Sequence, residues 1–329
     1  MNGKIIIKKG LAEKISDTKI LEIETGIDPL KPQNSTPPIN IVGVGEISTT
    51  FTIQDKDLSK IAFKRIPIFS NSLELTDYLK IYDRYIELLE KETMVKIPEH
   101  GYIGVETIDG RVVFYDIQQL LPGDSIGNKI IHLDNKEYIN IFINKVLDYI
   151  FSVWEFNNKN REIQIGLDAQ LSNWAVKNFN GDISENTQLI YIDVSTPMIT
   201  INEEHQLNAE LFLKSTPSFL RLIARKFFLS DVLNRYYELH LVLIDIVANL
   251  FKEKRADLIP DIINLINNRL VESKFSNIEL ISKEEIEKYY KEDAFIWSFY
   301  LSSRKIDRFI TTKLFRKRYE FILPEKVER

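Results

Sequence analysis

The chain has no cysteine among its 329 residues, so disulfides, thiolate-held zinc or iron–sulfur clusters and a thiol nucleophile are excluded. Histidines number four, and the one in EEHQ, His205, lacks a second histidine at metal-ligand spacing. No G-x-S-x-G stretch is present to form a serine-hydrolase elbow. Long apolar runs are missing too. The most apolar stretch, Leu239 to Phe251, is broken by His240, Asp245 and Asn249; it reads as a buried helix, too short and polar to span a bilayer. The opening MNGKIIIKKGLAEK has a run of only three isoleucines and no small-residue cleavage site, so it does not read as a signal peptide. Neither charge sign dominates. With 43 Lys and Arg against 48 Asp and Glu, the net charge of −5 offers no global basic field for nucleic acid. A cytoplasmic location is expected, in keeping with the lack of cysteine.

What is present suits a packed core: 44% of residues are hydrophobic and 28% charged, in a chain long enough for one large domain or two lobes. Residues 1–38 are charged and then turn-rich (DPLKPQNSTPP), and are expected to form an arm before the first firm element. From Ile39 to Ile131 the pattern is mostly strand, with NIVGVG, TTFTI, the turn DKD and KIAFKRI in succession. Within it, Leu73 to Lys91 carries Leu75, Leu79, Tyr82, Ile86 and Leu89 at helical spacing. YIGVETI and RVVFYDI flank Asp109-Gly110, a two-residue hairpin signal. After LLPGDSIG the pattern turns helical, first over Tyr138 to Phe156 and then almost throughout from Ala209 onward. That last region includes a buried helix over Val232 to Phe251 and a basic helix over Ser302 to Tyr319, read as a solvated face. The expected class is α+β: an antiparallel β-sheet lobe with one helix over residues 39–118, and a larger, mostly helical lobe over 119–329.

Three stretches have the residue types for chemistry. GVGEIS sets Gly43, Gly45 and Ser48 in a turn between strands, where missing Cβ atoms let backbone amides approach phosphates. It lacks the GK[ST] ending of a P-loop, and a strand follows it, not a helix. In IAFK, alternation places Ala62 and Lys64 on one strand face, a small floor beside an ammonium. In IGLDAQLSNW, the acid Asp168 stands five residues before the amide Asn173. Asp193 closes the apolar LIYID 20 residues further on, and a hairpin of WAVK with QLIYI would return it beside Asn173. Each has an ordinary alternative when taken singly: a hairpin turn, a surface lysine, a chance spacing, and an aspartate capping the next turn with Ser195 and Thr196.

In this order the pieces resemble the protein-kinase-like superfamily, closest in pattern to its aminoglycoside-phosphotransferase, small-molecule branch. GxGxxS followed by IAFK is similar to the family's glycine loop and V-A-I-K strand, and Lys64 lies 19 residues beyond Gly45. Asp168 and Asn173 match the D-x-x-x-x-N of the catalytic loop, and Asp193 stands at the place of the metal-bridging aspartate. The chain departs from the family at Gly166, where histidine is usual. It departs again after Asp193, where Val194 and Ser195 replace Phe-Gly and no A-P-E follows. The resemblance covers roughly residues 39–200 and marks a divergent member.

The resemblance implies a two-lobed kinase-like fold with ATP and Mg²⁺ between the lobes. Lys64 would hold the α- and β-phosphates under the Gly43–Ser48 loop, with Ala62 beneath the purine and the 116–120 connector, around Gln118, meeting adenine through its backbone. Asn173 and Asp193 would hold Mg²⁺, and Asp168 would serve the acceptor hydroxyl. The family's lysine pairs with a helix glutamate; Asp83, Glu87 and Glu90 are candidates here, with Glu87 the choice. The implied activity is ATP- and Mg-dependent phosphotransfer to a hydroxyl acceptor, and the missing activation segment tilts that acceptor toward a small molecule. The alternatives are a pseudokinase serving as nucleotide sensor or docking surface, and nucleotidyl (AMP) transfer on the same scaffold. In a third, an accidental motif order in a helical interaction protein, Lys64, Asn173 and Asp193 would lie far apart.

Overall fold

The computed structural model describes residues 3–208, 210–214 and 233–324. Six strands form one antiparallel sheet: β1 (Gly3–Gly10), β2 (Ile39–Val44), β3 (Thr49–Ile53), β4 (Ile61–Phe69), β5 (His100–Thr107) and β6 (Val112–Gln119). Their spatial order is β1-β5-β6-β4-β3-β2. The two turns follow from local chemistry. Between β2 and β3, Gly45 N–H donates to the Ser48 carbonyl at 3.0 Å. Between β5 and β6, Gly110 takes φ +81°, a conformation that a Cβ would resist.

Both faces of the sheet are covered, which is why VVFYDIQ in β6 is buried at every position and not alternately. One face presents Ile66, Val112 and Phe114 to α2 (Ser72–Glu92). The other presents Phe51, Phe63 and Tyr115 to α1 (Asp17–Gly26). Asn71 caps α2 by accepting from Glu74 N–H, a contact worth about 1 kcal/mol.

The first 38 residues are therefore not an arm. β1 pairs with β5 from Gly3 opposite Thr107 to Gly10 opposite Gly101, and Ala12, Ile20 and Ile23 are fully buried. The pairing partner lies far along the chain, so no local pattern in IIIKKG announces it.

The helical remainder contains α3 (Lys136–Lys159), α4 (Leu239–Lys252), α5 (Ile259–Glu272) and α6 (Lys283–Phe309). Between α3 and α4, short strands β7 (Ile163–Ile165) and β10 (Ile199–Ile201) pair with each other, as do β8 (Trp174–Val176) and β9 (Leu189–Tyr191). One apolar core runs from α2 through these strands to α5. The α+β class expected from the sequence is the class observed.

Two helix boundaries differ from expectation. Ala209 and Val232 lie outside the described residues, and of the helix expected over Val232 to Phe251, Arg235–Tyr237 is a separate turn before α4. The last helix starts well before Ser302, at Ser282, through a capping box in which Ser282 and Glu285 each bond the other's backbone N–H. It stops at Phe309, and after a wider turn over Ile310–Leu314 the chain is not helical. The tail returns to the sheet. Ile322 is buried beside α1, and Glu320 accepts from Arg65 at 3.0 Å and Arg111 at 2.7 Å. These arginines share the fully buried Glu24, which Arg65 grips with Nε at 2.7 Å and Nη2 at 2.8 Å. No helix among the described residues is long and apolar enough to cross a membrane.

Candidate functional site

Alternation along β4 sends Ala62 and Lys64 to the α2 side of the sheet while Phe63 and Arg65 face α1. Lys64 Nζ donates to Asp193 Oδ1 at 2.6 Å, and Ser195 Oγ donates to the same oxygen at 3.2 Å. Asp193 follows β9, whose partner β8 begins just after Asn173, so the expected hairpin forms. The two residues are tied through backbone, with Ile192 N–H donating to the Asn173 carbonyl at 2.9 Å. Asn173 Nδ2 in turn donates to the Asp168 carbonyl at 3.0 Å, which closes the loop between acid and amide. The Tyr191 hydroxyl donates to that carbonyl as well, at 3.0 Å.

Ala62, Lys64, Asp168, Asn173, Asp193 and Ser195 line one cavity of about 1160 Å³, together with Gly43, Gly45, Ser48 and Gln118. The accidental-order alternative, with the motif residues far apart, is thereby removed. The turn over the cavity is held from outside its own hairpin. Tyr300 of α6 donates its hydroxyl to the Glu46 carbonyl at 2.5 Å, and Arg304 Nη1 reaches the same oxygen at 3.5 Å.

The charges are strongly coupled. Burial pushes the Asp193 carboxyl up, but the charge and hydrogen bond of Lys64 outweigh it and hold the group below the ordinary carboxylate value. Burial also acts against the Lys64 ammonium; Asp193, then Asp116 and Asp168, more than compensate and raise it. Asp168 lies well above the usual range, because it is buried and faces Asp245 and Asp193. For a divalent cation, Asp193 and Asn173 are a pair of hard oxygen donors on adjoining backbone, and Asn173 Oδ1 accepts no hydrogen bond among the described residues. No cluster of three histidine, cysteine or acidic side chains occurs among the described residues. Two donors suit an ion that completes its shell with water and phosphate oxygens, as Mg²⁺ does.

The choice of Glu87 as the lysine's partner is wrong. Glu87 is solvent-facing, where it pairs with Arg84 at 2.9 Å and Lys91 at 3.0 Å along its own helix. The inward face of α2 instead carries Tyr78, Tyr82 and Tyr85, spaced to lie on one side. Tyr78 donates to the Ser195 carbonyl at 2.7 Å, Tyr82 to Asp116 Oδ1 at 2.9 Å, and Tyr85 to the Gly166 carbonyl at 3.0 Å. The second acid beside Lys64 is Asp116, its cross-strand partner on β6, fully buried. Burial raises Asp116 to about 6, against the pull of Lys64 and the hydrogen bonds from Tyr82 and Gln118. No linear motif marks Asp116; only the β4–β6 register does.

Gln118 also departs from its expected role. Its backbone sits inside the ladder between Ala62 and His100, and the next two amides donate to Glu99 and Lys60 carbonyls at 2.8 Å. Its side chain does the work, donating to Asp116 Oδ2 and to the Ile192 carbonyl, both at 3.0 Å. The first connector residue with no backbone hydrogen bond among the described residues is Leu121, which lines the cavity.

Gly166 stands where the kinase-like pattern has histidine, and here a side chain would be tight. A Cβ would come within 3.0 Å of both Met198 Cβ and the Tyr237 ring. The loop is instead held by Gly166 N–H to the Met198 carbonyl at 3.0 Å, Leu167 N–H to the Tyr236 carbonyl at 2.9 Å, and Tyr85.

The α+β frame and the Lys–Asp–Asn–Asp constellation define a protein with a charged cavity beside an antiparallel sheet. Residues 40–308 match a family described as a family of unknown function, DUF6206, and the chain belongs to that family. No curated protein matches it. Among solved structures, it is similar to WaaP in complex with acyl carrier protein, at 10% identity and a TM-score of 0.32, covering 69% of this chain and 84% of that one.

Proposed function

We propose that the chain is an ATP- and Mg²⁺-dependent phosphotransferase with a two-lobed, kinase-like arrangement, acting on the hydroxyl of a small molecule. The observation that supports it most is the convergence of Lys64, Asp193, Asn173 and Asp168 on one cavity under a glycine turn. Its volume, about 1160 Å³, exceeds the span typical of a single small ligand and leaves room for a nucleotide and an acceptor. In this reading the sheet with α1 and α2 binds nucleotide, and the chain from residue 119 onward supplies the catalytic loop and acceptor wall.

Lys64 would exchange its contact with Asp193 for phosphate oxygens, while Asp116 remains beside it across the strand pair. Mg²⁺ held by Asp193 and Asn173 would neutralise the charge on the transferred group. Asp168, pushed up by burial and by Asp245, would hold the acceptor hydroxyl by hydrogen bond and take its proton late in transfer. Arg235 and Lys252 also line the cavity and would attract an anionic acceptor. Catalysis would rest on positioning and charge stabilisation.

A pseudokinase, binding nucleotide without transfer, is the second reading. It is favoured by the absence of an α2 acid at Lys64, where the helix supplies hydroxyls only. Calorimetry with ATP and Mg²⁺ tests both, since neither survives a lack of Mg-dependent binding. Label from γ-phosphate appearing on an acceptor marks phosphotransfer, label from α-phosphate marks AMP transfer, and binding with neither marks the pseudokinase.

A further inference from the structure

Four phenylalanines are exposed among the described residues, and all four lie on α6 or just past it: Phe295, Phe299, Phe309 and Phe315. With Ile306 and Leu314 they make six of the fourteen large apolar side chains found exposed, gathered in one short segment. Phe295, Phe299, Ile306 and Phe309 recur at three-, four- and seven-residue spacings, which is a single helix face. That face is opposite the one that buries Leu301 and Arg304. Only Phe299 also touches the cavity.

Cations are interspersed along the same stretch of chain. Lys305, Lys313, Arg316 and Lys317 are exposed, Arg308 is half-buried, and none of the five forms an ion pair among the described residues. Between Ser302 and Arg318 the only acid is Asp307, in a chain whose net charge is −5. A solvated basic face accounts for the cations but not for the phenylalanines set between them. A second copy of the chain would cover the phenylalanines, yet it would bring like-charged faces together.

We propose that α6 and the turn after it form a docking face for an anionic lipid bilayer. The aromatic stripe would enter the boundary between headgroups and acyl chains, and the lysines and arginines would meet lipid phosphates and carboxylates. The helix lies on such a surface and does not cross it. This proposal stands apart from the phosphotransfer reading, because vesicle binding requires no nucleotide.

The test is co-sedimentation of the full chain with vesicles of phosphatidylcholine alone and of phosphatidylcholine mixed with phosphatidylserine. Binding to the mixed vesicles only, released by raised salt, is the expected result. The pairs Phe309→Ser with Phe315→Ser, and Lys313→Glu with Lys317→Glu, should each lower partition roughly tenfold or more. Circular dichroism checks folding, and if one pair fails to fold the other decides. No binding to anionic vesicles, equal binding to both kinds, or binding that survives the folded variants overturns the proposal. So does lipid-free self-association in sedimentation velocity that the phenylalanine pair abolishes, since a second copy would then cover the face.

Discussion

Lys64 and Asp193, 129 residues apart in the chain, meet at 2.6 Å, and among the described residues neither has another partner of opposite charge so near. The pair is only partly shielded, with side-chain exposures of 19% and 23%, so under the proposed phosphotransfer a nucleotide would compete for both. Lys64→Ala should weaken Mg-ATP binding about tenfold or more, the scale of a lost charge-assisted hydrogen bond, as read by calorimetry. Lys64→Arg should not restore it, because a planar fork does not replace a compact ammonium.

Tyr82→Phe removes one donor from the buried Asp116, which costs about 1–3 kcal/mol of stability in chemical denaturation. That hydrogen bond helps hold Asp116 down, so its loss raises a group already near 6. In the variant, lowering pH from 8 toward 6 should therefore strip charge from beside Lys64 sooner than in the wild type. As that negative charge leaves the cavity, affinity for the anionic ATP should rise in the variant relative to the wild type over that window, while Glu87→Gln leaves stability and affinity alone.

Gly166→Ala places a Cβ against Met198 and Tyr237 and should cost about 1–3 kcal/mol through overpacking. Gly166→His should be worse, although it restores the residue usual in kinase-like loops. Combining Gly166→Ala with Tyr237→Ala should return part of the loss in a denaturation cycle.

Acid stability should depend on Glu24. Burial raises its carboxyl, yet Arg65, Tyr115 and Arg111 together hold it below the ordinary 4.5. A folded-state value below the unfolded one means the contribution is fully present above about pH 4.5 and fades as pH falls through the depressed value. Glu24→Gln should cost about 1.5–3 kcal/mol near neutral pH, because Arg65 loses its bidentate carboxylate and keeps only Glu320. The gap between variant and wild type should narrow in melts taken progressively below pH 4.5.

The residues legible in the sequence were those carried by short linear spacing. Asp168 with Asn173, the glycine turn and Lys64 on IAFK needed only a strand's alternation and a loop's length to be placed. Asp116 was not legible, because its role arises from a cross-strand register with Lys64 that no local pattern encodes. Of the α2 tyrosines, the apolar spacing picked out Tyr82 but not Tyr78 or Tyr85; all three are buried, and their hydroxyl partners belong to segments distant in the chain. The start of α6 did carry a readable signal, Ser282 followed by Glu285, but the charged run after it hid the helix's weak stripe.

The bond from Tyr300 to the Glu46 carbonyl has a mechanical consequence. The cover of the cavity is not free to flap on its own hairpin; it is hitched to the far end of the chain. Nucleotide entry and departure would then keep time with the seating of α6. If that helix rests on a bilayer, the same latch would let arrival at a surface set the rate of nucleotide exchange.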